Sequence, residues 1–230
     1  MVNWNEFTLI APSLNEEKNI ANFIGKVQKI STQLKIIIAD DGSKDKTAEI
    51  VKKIAFKNNR IEFFDRSSKE VKGITASVID SLNKTKSKYV IISDCDLQHP
   101  PKYIIEIAKQ LEMGNDLAIG FREKVTYWPA HRKFISSIAQ ILAKIKLGKL
   151  KVTDPLSGFF GANTEFMRKK IDHNKKRFRL EGYKILFDLL KCCKNQDKIE
   201  QFGYVFESRK FGESKLGAKH VLAFLKSLLS

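Results

Sequence analysis

Short runs of β-branched and aromatic residues alternate with helix-length segments through the first half of this 230-residue chain. Strand-like runs occupy 7–11, 35–39, 61–64 and 89–93, and each is followed by apolar residues at helical spacing. This alternation is typical of βαβ units, in which helices cover both faces of a mostly parallel sheet. The sequence therefore predicts an α/β, Rossmann-like fold, with the ligand site at the polar strand ends.

The second half is less regular after DLAIGFR at 116–122. We expect a helix over 130–147, a strand-like segment at 157–162, a helix over about 182–194 and a strand at 202–206. No internal repeat or Gly/Ser/Pro-rich linker separates the halves, and all five prolines fall at junctions between predicted elements. A single compact domain is therefore predicted.

The net charge of +16 indicates anionic partners. The excess is uneven, because residues 1–115 carry a net charge of +3 and residues 116–230 a net charge of +13. Basic residues alternate with apolar ones in the second half, so a folded positive surface is expected there. Charge alone would also allow a nucleic-acid binder without enzymatic activity, but that reading leaves the acidic motifs unexplained, and nucleic acid is not an expected partner.

The cysteine content and the N-terminal segment indicate the cellular compartment in which the chain is expected. Cys95, Cys192 and Cys193 make no disulfide framework, which favours a reducing compartment. MVNWNEF lacks the basic-then-apolar pattern of a signal peptide, and no uncharged apolar stretch of about 18 residues occurs. We expect a cytoplasmic chain that contacts a membrane at its surface only.

The most informative motif is Asp94-Cys95-Asp96-Leu97-Gln98, directly after a buried-looking strand. Two carboxylates two residues apart, with a carboxamide two residues further, suit a hard divalent cation such as Mg²⁺ or Mn²⁺. An acidic turn ended by proline is the alternative. The strand context, Gln98 and Pro100-Pro101 favour the metal site.

Two other strand ends carry polar residues. Asp40-Asp41 could accept hydrogen bonds from a ribose or a base edge, or could form a turn in which Asp45 caps the next helix. The segment 11–16 is likewise either a capped helix start or a nucleotide-binding loop. Both alternatives stay open on local grounds.

A basic set lies in the second half. Arginine and lysine side chains suit phosphate oxygens, and the candidates are Arg122, Arg132, Arg209 and Lys215. The chain has no G-x-x-x-x-G-K-[ST] loop and no G-x-G-x-x-G, which excludes the common ATPase and dinucleotide-binding motifs. The four histidines show no H-E-x-x-H spacing, and three cysteines make a zinc site improbable.

Taken in chain order, these segments resemble the polyprenyl-phosphate sugar transferases of glycosyltransferase family 2, of the dolichol-phosphate mannosyltransferase type. The resemblance covers nearly the whole chain and implies a GT-A fold, a nucleotide-sugar donor, a divalent metal and a polyprenyl-phosphate acceptor. It rests on APSLNEE (11–17), ADDGSKDKT (39–47), SDCDLQHPP (93–101), GFR (120–122), WPAHRKFIS (128–136), DPLSGFF (154–160), GYKILFDLL (182–190) and RKFGESKL (209–216).

The resemblance also implies roles for individual residues. The metal ligands would be Asp94, Asp96 and Gln98, and the catalytic residues Asp96, Arg122 and Arg132. The nucleotide-sugar contacts would be Pro12, Leu14, Glu16, Ala39, Asp41, Asp94, Cys95, Asp96, Arg209 and Lys215. Residues 1–121 would form the donor and metal part, and residues 122–230 the acceptor side with amphipathic helices. Two features depart from the family: Leu14 replaces a common aromatic residue, and the stretch between Arg122 and Trp128 is short.

The implied reaction is a one-step inverting displacement. Mannose from GDP-mannose is the expected donor, with glucose from UDP-glucose and a non-lipid acceptor left open. A nucleotide-sugar pyrophosphorylase on a related sheet is disfavoured, because no early Gly-rich basic loop occurs. The sequence predicts no oligomeric state.

Apolar residues recur at helical spacing between 134 and 145, with lysines towards the end of the segment. An amphipathic basic helix can lie in the headgroup layer of a membrane, here on its cytoplasmic face. A core-facing helix with lysines in water is the alternative. The C-terminal VLAFLKSLLS is a second candidate for membrane contact.

Overall fold

The computed structural model describes residues 1–125, 128–212 and 218–229 and is organised around one seven-stranded sheet. In chain order, strands β1 to β7 are Phe7–Ser13, Lys35–Asp40, Ile61–Asp65, Tyr89–Ile92, Leu117–Val125, Phe160–Asn163 and Ile199–Phe206. Helices α1 to α8 are Ile20–Gln28, Thr47–Lys57, Ile74–Lys84, Ile104–Glu112, Ala130–Leu147, Thr164–His173, Ile185–Leu190 and Ala218–Leu229.

The strand order in the sheet is β3-β2-β1-β4-β6-β5-β7. Strand β6 is antiparallel to both of its neighbours, β4 and β5, whereas every other neighbouring pair is parallel. Six strands therefore run in one direction, and their carboxyl ends meet along one edge of the sheet. This arrangement confirms the predicted α/β architecture with a mostly parallel sheet.

Both faces of the sheet are buried, which explains the continuous apolar runs of the central strands. Successive side chains of a strand point to opposite faces, so Leu9 and Ile10 of β1 join two different core clusters. Leu9 packs with residues of α1 and α4, and Ile10 with residues of α3 and α7. Strands buried on both faces read as unbroken hydrophobic segments rather than as alternating ones.

Helix α4 lies so close to β6 that no side chain fits between them at Gly161. A Cβ atom on Gly161 would stand 2.4 Å from Cγ2 of Ile107 and 2.9 Å from Cδ1 of Leu111. Glycine at this position therefore permits the close approach of the helix to the sheet.

The predicted elements are present, with some shifted bounds. Helix α5 has the predicted range, 130–147, whereas α7 is much shorter than the 182–194 expected. Helix α6 was not predicted, and the C-terminal apolar segment forms α8. The assignment of donor and acceptor roles to residues 1–121 and 122–230 stays a prediction, and its boundary falls within β5.

The apolar residues of α5 that the sequence singled out lie at the surface, not in the core. They range from 39% to 71% exposed and comprise Phe134, Ile135, Ile138, Ile141, Leu142 and Ile145. The core-facing alternative is therefore wrong for these six residues. No helix in the described ranges is long and apolar enough to cross a membrane.

Candidate active site

The carboxyl ends of β1, β2 and β4 are joined directly by hydrogen bonds. The Asp41 backbone N–H donates to the Ser13 carbonyl at 3.0 Å, which links the ends of β2 and β1. The Cys95 thiol donates to the Pro12 carbonyl at 3.4 Å, which links the loop after β4 to β1. Three segments predicted to contact a nucleotide sugar thus lie together at the sheet edge.

The loop after β4 turns sharply at Leu97, which has a φ angle of +64°. This left-handed conformation is uncommon for a residue with a side chain. The turn lets Asp96 Oδ1 accept a hydrogen bond from the Gln98 backbone N–H at 3.0 Å. The Gln98 side-chain amide donates to the Glu207 carbonyl at 3.1 Å, which ties the motif to the segment after β7.

His99, which was not predicted as a site residue, connects Asp94 to the core. Its Nε2 lies 3.4 Å from Asp94 Oδ2, and its Nδ1 is hydrogen-bonded to the Tyr204 hydroxyl at 2.6 Å. The imidazole also stacks on Phe159, with ring centroids 5.3 Å apart. His99 is buried, so this arrangement fixes the direction of the Asp94 carboxylate.

The two carboxylates of the motif have opposite pKa shifts. Desolvation acts to raise the pKa of Asp94, but the His99 hydrogen bond and nearby positive charges outweigh it and leave the pKa below its usual value. Burial, and then the charge of Asp94, raise the pKa of Asp96 despite the neighbouring Arg209. The fold therefore holds two carboxylates so close together that the negative charge of one disfavours ionisation of the other.

Arg209 reaches this acidic pair from the segment after β7. Its Nη2 lies 2.6 Å from Asp96 Oδ2, and its Nη1 lies 3.6 Å from Glu16 Oε1. The Glu16 carboxylate also accepts a hydrogen bond from the Asn19 side chain at 2.8 Å. Three predicted donor contacts, Glu16, Asp96 and Arg209, are thus brought together from distant parts of the chain.

The residues of the motif fit a divalent cation in part. Within residues 1–125, 128–212 and 218–229, no three His, Cys, Asp or Glu side chains cluster closely enough to hold a metal ion unaided. Two carboxylates and the oxygen of the Gln98 amide are nevertheless the ligand types that Mg²⁺ and Mn²⁺ accept, and such ions commonly complete their shell with substrate phosphates and water. The repulsion between Asp94 and Asp96 would be relieved by a cation between them.

Arg122, the first residue of the predicted acceptor part, forms a buried ion pair with Asp154. Arg122 Nε lies 2.6 Å from Asp154 Oδ2, and Nη2 lies 2.9 Å from Oδ1. The Gln140 side chain of α5 donates to the same carboxylate. Burial acts to raise the pKa of Asp154, but the hydrogen bond and charge of Arg122 hold it below its usual value.

Trp128 lies between two of the predicted catalytic arginines. The guanidinium of Arg132 is 4.4 Å from the centroid of the Trp128 ring, and that of Arg122 is 5.4 Å from it. Burial lowers the pKa of Arg132, and the positive charges of Arg209 and Arg122 lower it further. Three arginines from distant parts of the chain therefore share one region, in which Arg122 is paired with Asp154 and Arg209 with Asp96.

Lys184, just before α7, adds a fourth cation that sequence reasoning missed. Its Nζ donates to the Leu156 carbonyl at 2.7 Å. Burial lowers its pKa to about 8, assisted by the charges of Arg122 and Arg132, whereas Asp154 and Asp94 act to raise it. Nothing in the sequence around Lys184, within the predicted helix 182–194, indicates that this lysine is buried beside other charges.

The alternatives left open at Asp40, Asp41 and Asp45 are now partly decided. Asp40 closes the turn, because its Oδ1 accepts from the backbone N–H groups of Gly42 and Ser43. Asp45 Oδ1 accepts from the Thr47 N–H at 3.0 Å, at the start of α2. Asp41 is paired with the buried Arg66 and accepts from the Gly73 N–H at 2.8 Å, so its donor contact stays a prediction.

The remaining predicted donor contacts differ in accessibility. Leu14 is 39% exposed beside the site, whereas the side chain of Ala39 is fully buried, so only its backbone could face a ligand. The Cys95 side chain is also buried. Lys215 lies outside the described residues.

The chain is similar in sequence to proteins of known activity. Residues 8–178 match the Glycosyl transferase family 2 profile. The chain is 30% identical over 228 residues to the dolichol-phosphate mannosyltransferase of Pyrococcus furiosus, covering 96% of this chain and 62% of that enzyme, which is less than two thirds of its length. It is 28% identical over 238 residues to the dolichol-phosphate mannosyltransferase of Saccharomyces cerevisiae, covering 97% and 85%.

The fold is similar to that of glucosyl-3-phosphoglycerate synthase from Mycobacterium tuberculosis, crystallised with Mn²⁺, UDP-glucose and phosphoglyceric acid. The TM-score is 0.67 at 23% identity, covering 96% of this chain and 79% of that one. This likeness confirms the predicted GT-A architecture. Since the family profile spans most of the sequence, from β1 to the segment after α6, the chain belongs to glycosyl transferase family 2.

Proposed function

We propose that the chain transfers a mannosyl group from GDP-mannose to a polyprenyl or dolichyl phosphate, with Mg²⁺ or Mn²⁺ as cofactor. The observation that carries this proposal is the group of three arginines and Lys184 beside an acidic metal motif at one sheet edge. Two phosphate-bearing substrates would need several cationic side chains beside a metal motif. The names of the Pyrococcus and Saccharomyces relatives support the choice of sugar and acceptor.

On the donor side, Asp94, Asp96 and Gln98 would hold the cation against the diphosphate of the nucleotide sugar. A bound divalent ion would supply charge neutralisation to the departing diphosphate. Arg209 is bonded to Asp96 and near Glu16, so it is placed to contact the same diphosphate. Burial, and then the charge of Asp94, raise the pKa of Asp96, and a cation between the two carboxylates would offset the second of these causes.

On the acceptor side, Arg122, Arg132 and Lys184 would hold the phosphate group of the polyprenyl phosphate. A phosphate monoester is already anionic at neutral pH, so no general base is required. Its oxygen would attack the anomeric carbon, the bond from that carbon to the diphosphate oxygen would break, and the electron pair would leave with GDP. Attack opposite the leaving group inverts the configuration of the sugar.

A lipid acceptor is favoured by the exposed apolar residues of α5. This helix begins beside Arg132 and carries six exposed apolar side chains together with lysines at its C-terminal end. We propose that it lies in the headgroup layer of an anionic membrane, on the cytoplasmic face, where basic residues add to apolar burial. The acceptor phosphate would then enter the site from the membrane surface.

A small phosphorylated acceptor is the second candidate. The Mycobacterium tuberculosis neighbour, which has the same fold, was crystallised with phosphoglyceric acid and UDP-glucose. Arginine side chains recognise the phosphate rather than the group attached to it. The arginine cluster would therefore also suit an acceptor of that class, whereas the exposed face of α5 would then have no role.

The test is incubation of the purified protein with Mg²⁺ or Mn²⁺, one nucleotide sugar and one acceptor. GDP-mannose and UDP-glucose would each be combined with dolichyl phosphate and with 3-phosphoglycerate, and the products identified by mass spectrometry. We expect mannosyl dolichyl phosphate and GDP as the main products. Transfer to 3-phosphoglycerate alone would overturn the lipid acceptor, and transfer from UDP-glucose alone would overturn the mannosyl donor.

A further inference from the structure

A basic cavity of about 180 Å³ lies between the C-terminal ends of α5 and α7. Its charged lining consists of Lys146, Lys149, Arg177 and Lys191, and no acidic side chain of the described residues lines it. A single water needs roughly 10–15 Å³ of such space, so the cavity has room for several. The cavity is therefore large enough for a small anionic group.

This cavity is separate from the active site. Arg132 lies in the first turn of α5, and Lys146 lies fourteen residues later, near its end. At a rise of about 1.5 Å per residue, the two positions are about 21 Å apart along the helix axis. No residue of the arginine cluster at the sheet edge lines the cavity.

The positive charge of the cavity is only partly neutralised by the protein. Lys191 Nζ lies 3.0 Å from Asp188 Oδ1 and donates to the Ser227 carbonyl at 2.8 Å. Arg177 Nη1 donates to the Lys191 carbonyl at 2.7 Å, and no acidic side chain in the described ranges pairs with Arg177, Lys146 or Lys149. The C-terminal ends of α5 and α7 add partial negative charge, but among the described residues the side chains that line the cavity are positive overall.

Capping of the helix ends does not account for these lysines. The Gly148 N–H donates to the carbonyls of Lys144 and Ile145, and the Leu150 N–H donates to that of Leu147. The carbonyls of Lys144, Ile145 and Leu147, at the end of α5, therefore already have backbone partners. Lys149 lies beyond the end of the helix, so it does not help to close the last turn. It nevertheless lines the cavity.

We propose that this cavity is a second anion site, which binds one phosphate group of about one to two negative charges. The phosphate could belong to a lipid headgroup or to a soluble molecule. Leu147 and Leu150 form an apolar part of the lining, at the end of the helix that carries the exposed apolar residues. The assignment of the phosphate to a lipid headgroup rests on the proposed function, whereas the phosphate site itself does not.

The test is a titration of the ¹⁵N-labelled full chain with inorganic phosphate, followed by amide chemical shifts. We expect saturable shifts at Leu147, Leu150 and Cys193, separable from any shifts at Phe121 and Arg122 in the active site. Lys146→Gln with Lys149→Gln should weaken phosphate binding at the cavity at least tenfold.

The matched control is Lys144→Gln with Lys151→Gln. This pair makes the same change in net charge within the same segment, but neither lysine lines the cavity. It should retain the phosphate affinity of the unmodified protein. Equal losses in the two double variants, or no saturable shifts at the cavity residues, would overturn the site.

Vesicle binding then identifies the source of the phosphate. Sedimentation with phosphatidylcholine vesicles, with and without phosphatidylglycerol, would be compared for the two double variants. If Lys146→Gln/Lys149→Gln binds the anionic vesicles severalfold more weakly than its control does, the phosphate belongs to a lipid headgroup. Equal binding of the two double variants supports a soluble phosphate. Phosphate titration requires neither donor nor acceptor, so its result is independent of whether the chain transfers mannose.

Discussion

Asp154 accepts two hydrogen bonds from the Arg122 guanidinium, from Nε at 2.6 Å and from Nη2 at 2.9 Å, and thereby fixes the plane of that group. Both side chains are largely buried, at 5% and 11% exposed. Loss of one partner from such a pair leaves an uncompensated charge in the interior. Asp154 is therefore a positioning residue for the arginine expected to hold the acceptor phosphate.

Asp154→Asn should impair both stability and turnover. We expect a loss of about 3–5 kcal/mol in the free energy of unfolding and a fall in kcat of at least about 100-fold, because Arg122 loses its orientation. Urea unfolding and initial rates measure the two effects. Glu165→Gln is the control, since the pair of Glu165 with Lys169 is exposed, and it should change stability by less than about 0.5 kcal/mol. Unchanged stability and rate in Asp154→Asn would refute the positioning role.

Asp96→Asn should weaken Mn²⁺ binding at least tenfold, measured by electron paramagnetic resonance. Turnover should fall by about 10²–10³, as for the loss of one electrostatic stabiliser. Asp172→Asn, at an exposed surface position, is the control and should retain Mn²⁺ affinity. The metal assignment fails if Asp96→Asn also retains it.

Acceptor binding should weaken as the pH rises through about 8, because Lys184 then loses its positive charge. The KM for polyprenyl phosphate should increase between pH 7 and 9.5 in the unmodified protein. Lys184→Arg should flatten this dependence, since a guanidinium stays charged over that range. Lys169→Arg, at an exposed position, should leave the profile unchanged. Identical profiles for Lys184→Arg and the unmodified protein would rule out Lys184 as the titrating group.

The same pKa predicts a dependence of stability on pH. The pKa of Lys184 is about 8 in the folded protein against an ordinary value of 10.5, so the unfolded chain binds the proton more tightly. The contribution of Lys184 to the free energy of unfolding should therefore decrease as the pH falls from about 10.5 to 8 and stay constant below that. Urea unfolding of Lys184→Met across this range should show a smaller slope than that of the unmodified protein.

Ile138→Gln with Ile141→Gln should reduce binding to anionic vesicles roughly tenfold or more, because both residues lie on the exposed face of α5. The free energy of unfolding should stay unchanged, since neither side chain is in the core. Phe56→Gln with Met113→Gln is the matched control, as these residues, in α2 and just after α4, are 92% and 77% exposed. Comparable vesicle binding by the two double variants would exclude α5 as the contact surface.

Gly161→Ala should destabilise the protein by about 1–3 kcal/mol, because the new methyl group would overlap Ile107 of α4. Gly25→Ala provides the opposite control. No atom lies within 4 Å of the added Cβ in α1, so this substitution should stabilise the protein by about 0.5–1 kcal/mol. Urea unfolding of both variants decides the matter, and a stabilising Gly161→Ala would show that α4 can move away from β6.

Features with a local physical cause could be predicted from the sequence. The bounds of α5 were predicted correctly, because Pro129 suits the entry of a helix and Gly148, with a φ angle of +61°, suits its exit. The strand ends that carry Asp94 and Asp41 were located by the apolar runs before them. The exposed side of α5 could not be separated from a core face, because periodicity alone does not say what covers a helix.

Features that depend on distant contacts could not be predicted. Helix α6 has only Met167 and Ile171 as buried apolar residues, so its periodicity is weak, although the Asn163 side chain caps it by accepting from the Phe166 N–H. Lys184 and Asp154 show no local pattern, since their environments come from residues that are far away in the chain. No motif in the sequence indicates that Asp41 pairs with Arg66.

Arg209 follows β7, the last strand of the sheet to be synthesised, yet it is bonded to Asp96 after β4 and lies near Glu16 after β1. On the ribosome, the acidic edge is therefore translated well before the guanidinium that neutralises it. A nascent chain interrupted ahead of residue 209 would hold two neighbouring carboxylates without their arginine. Assembly of this edge is thereby delayed until the segment after β7 has been made.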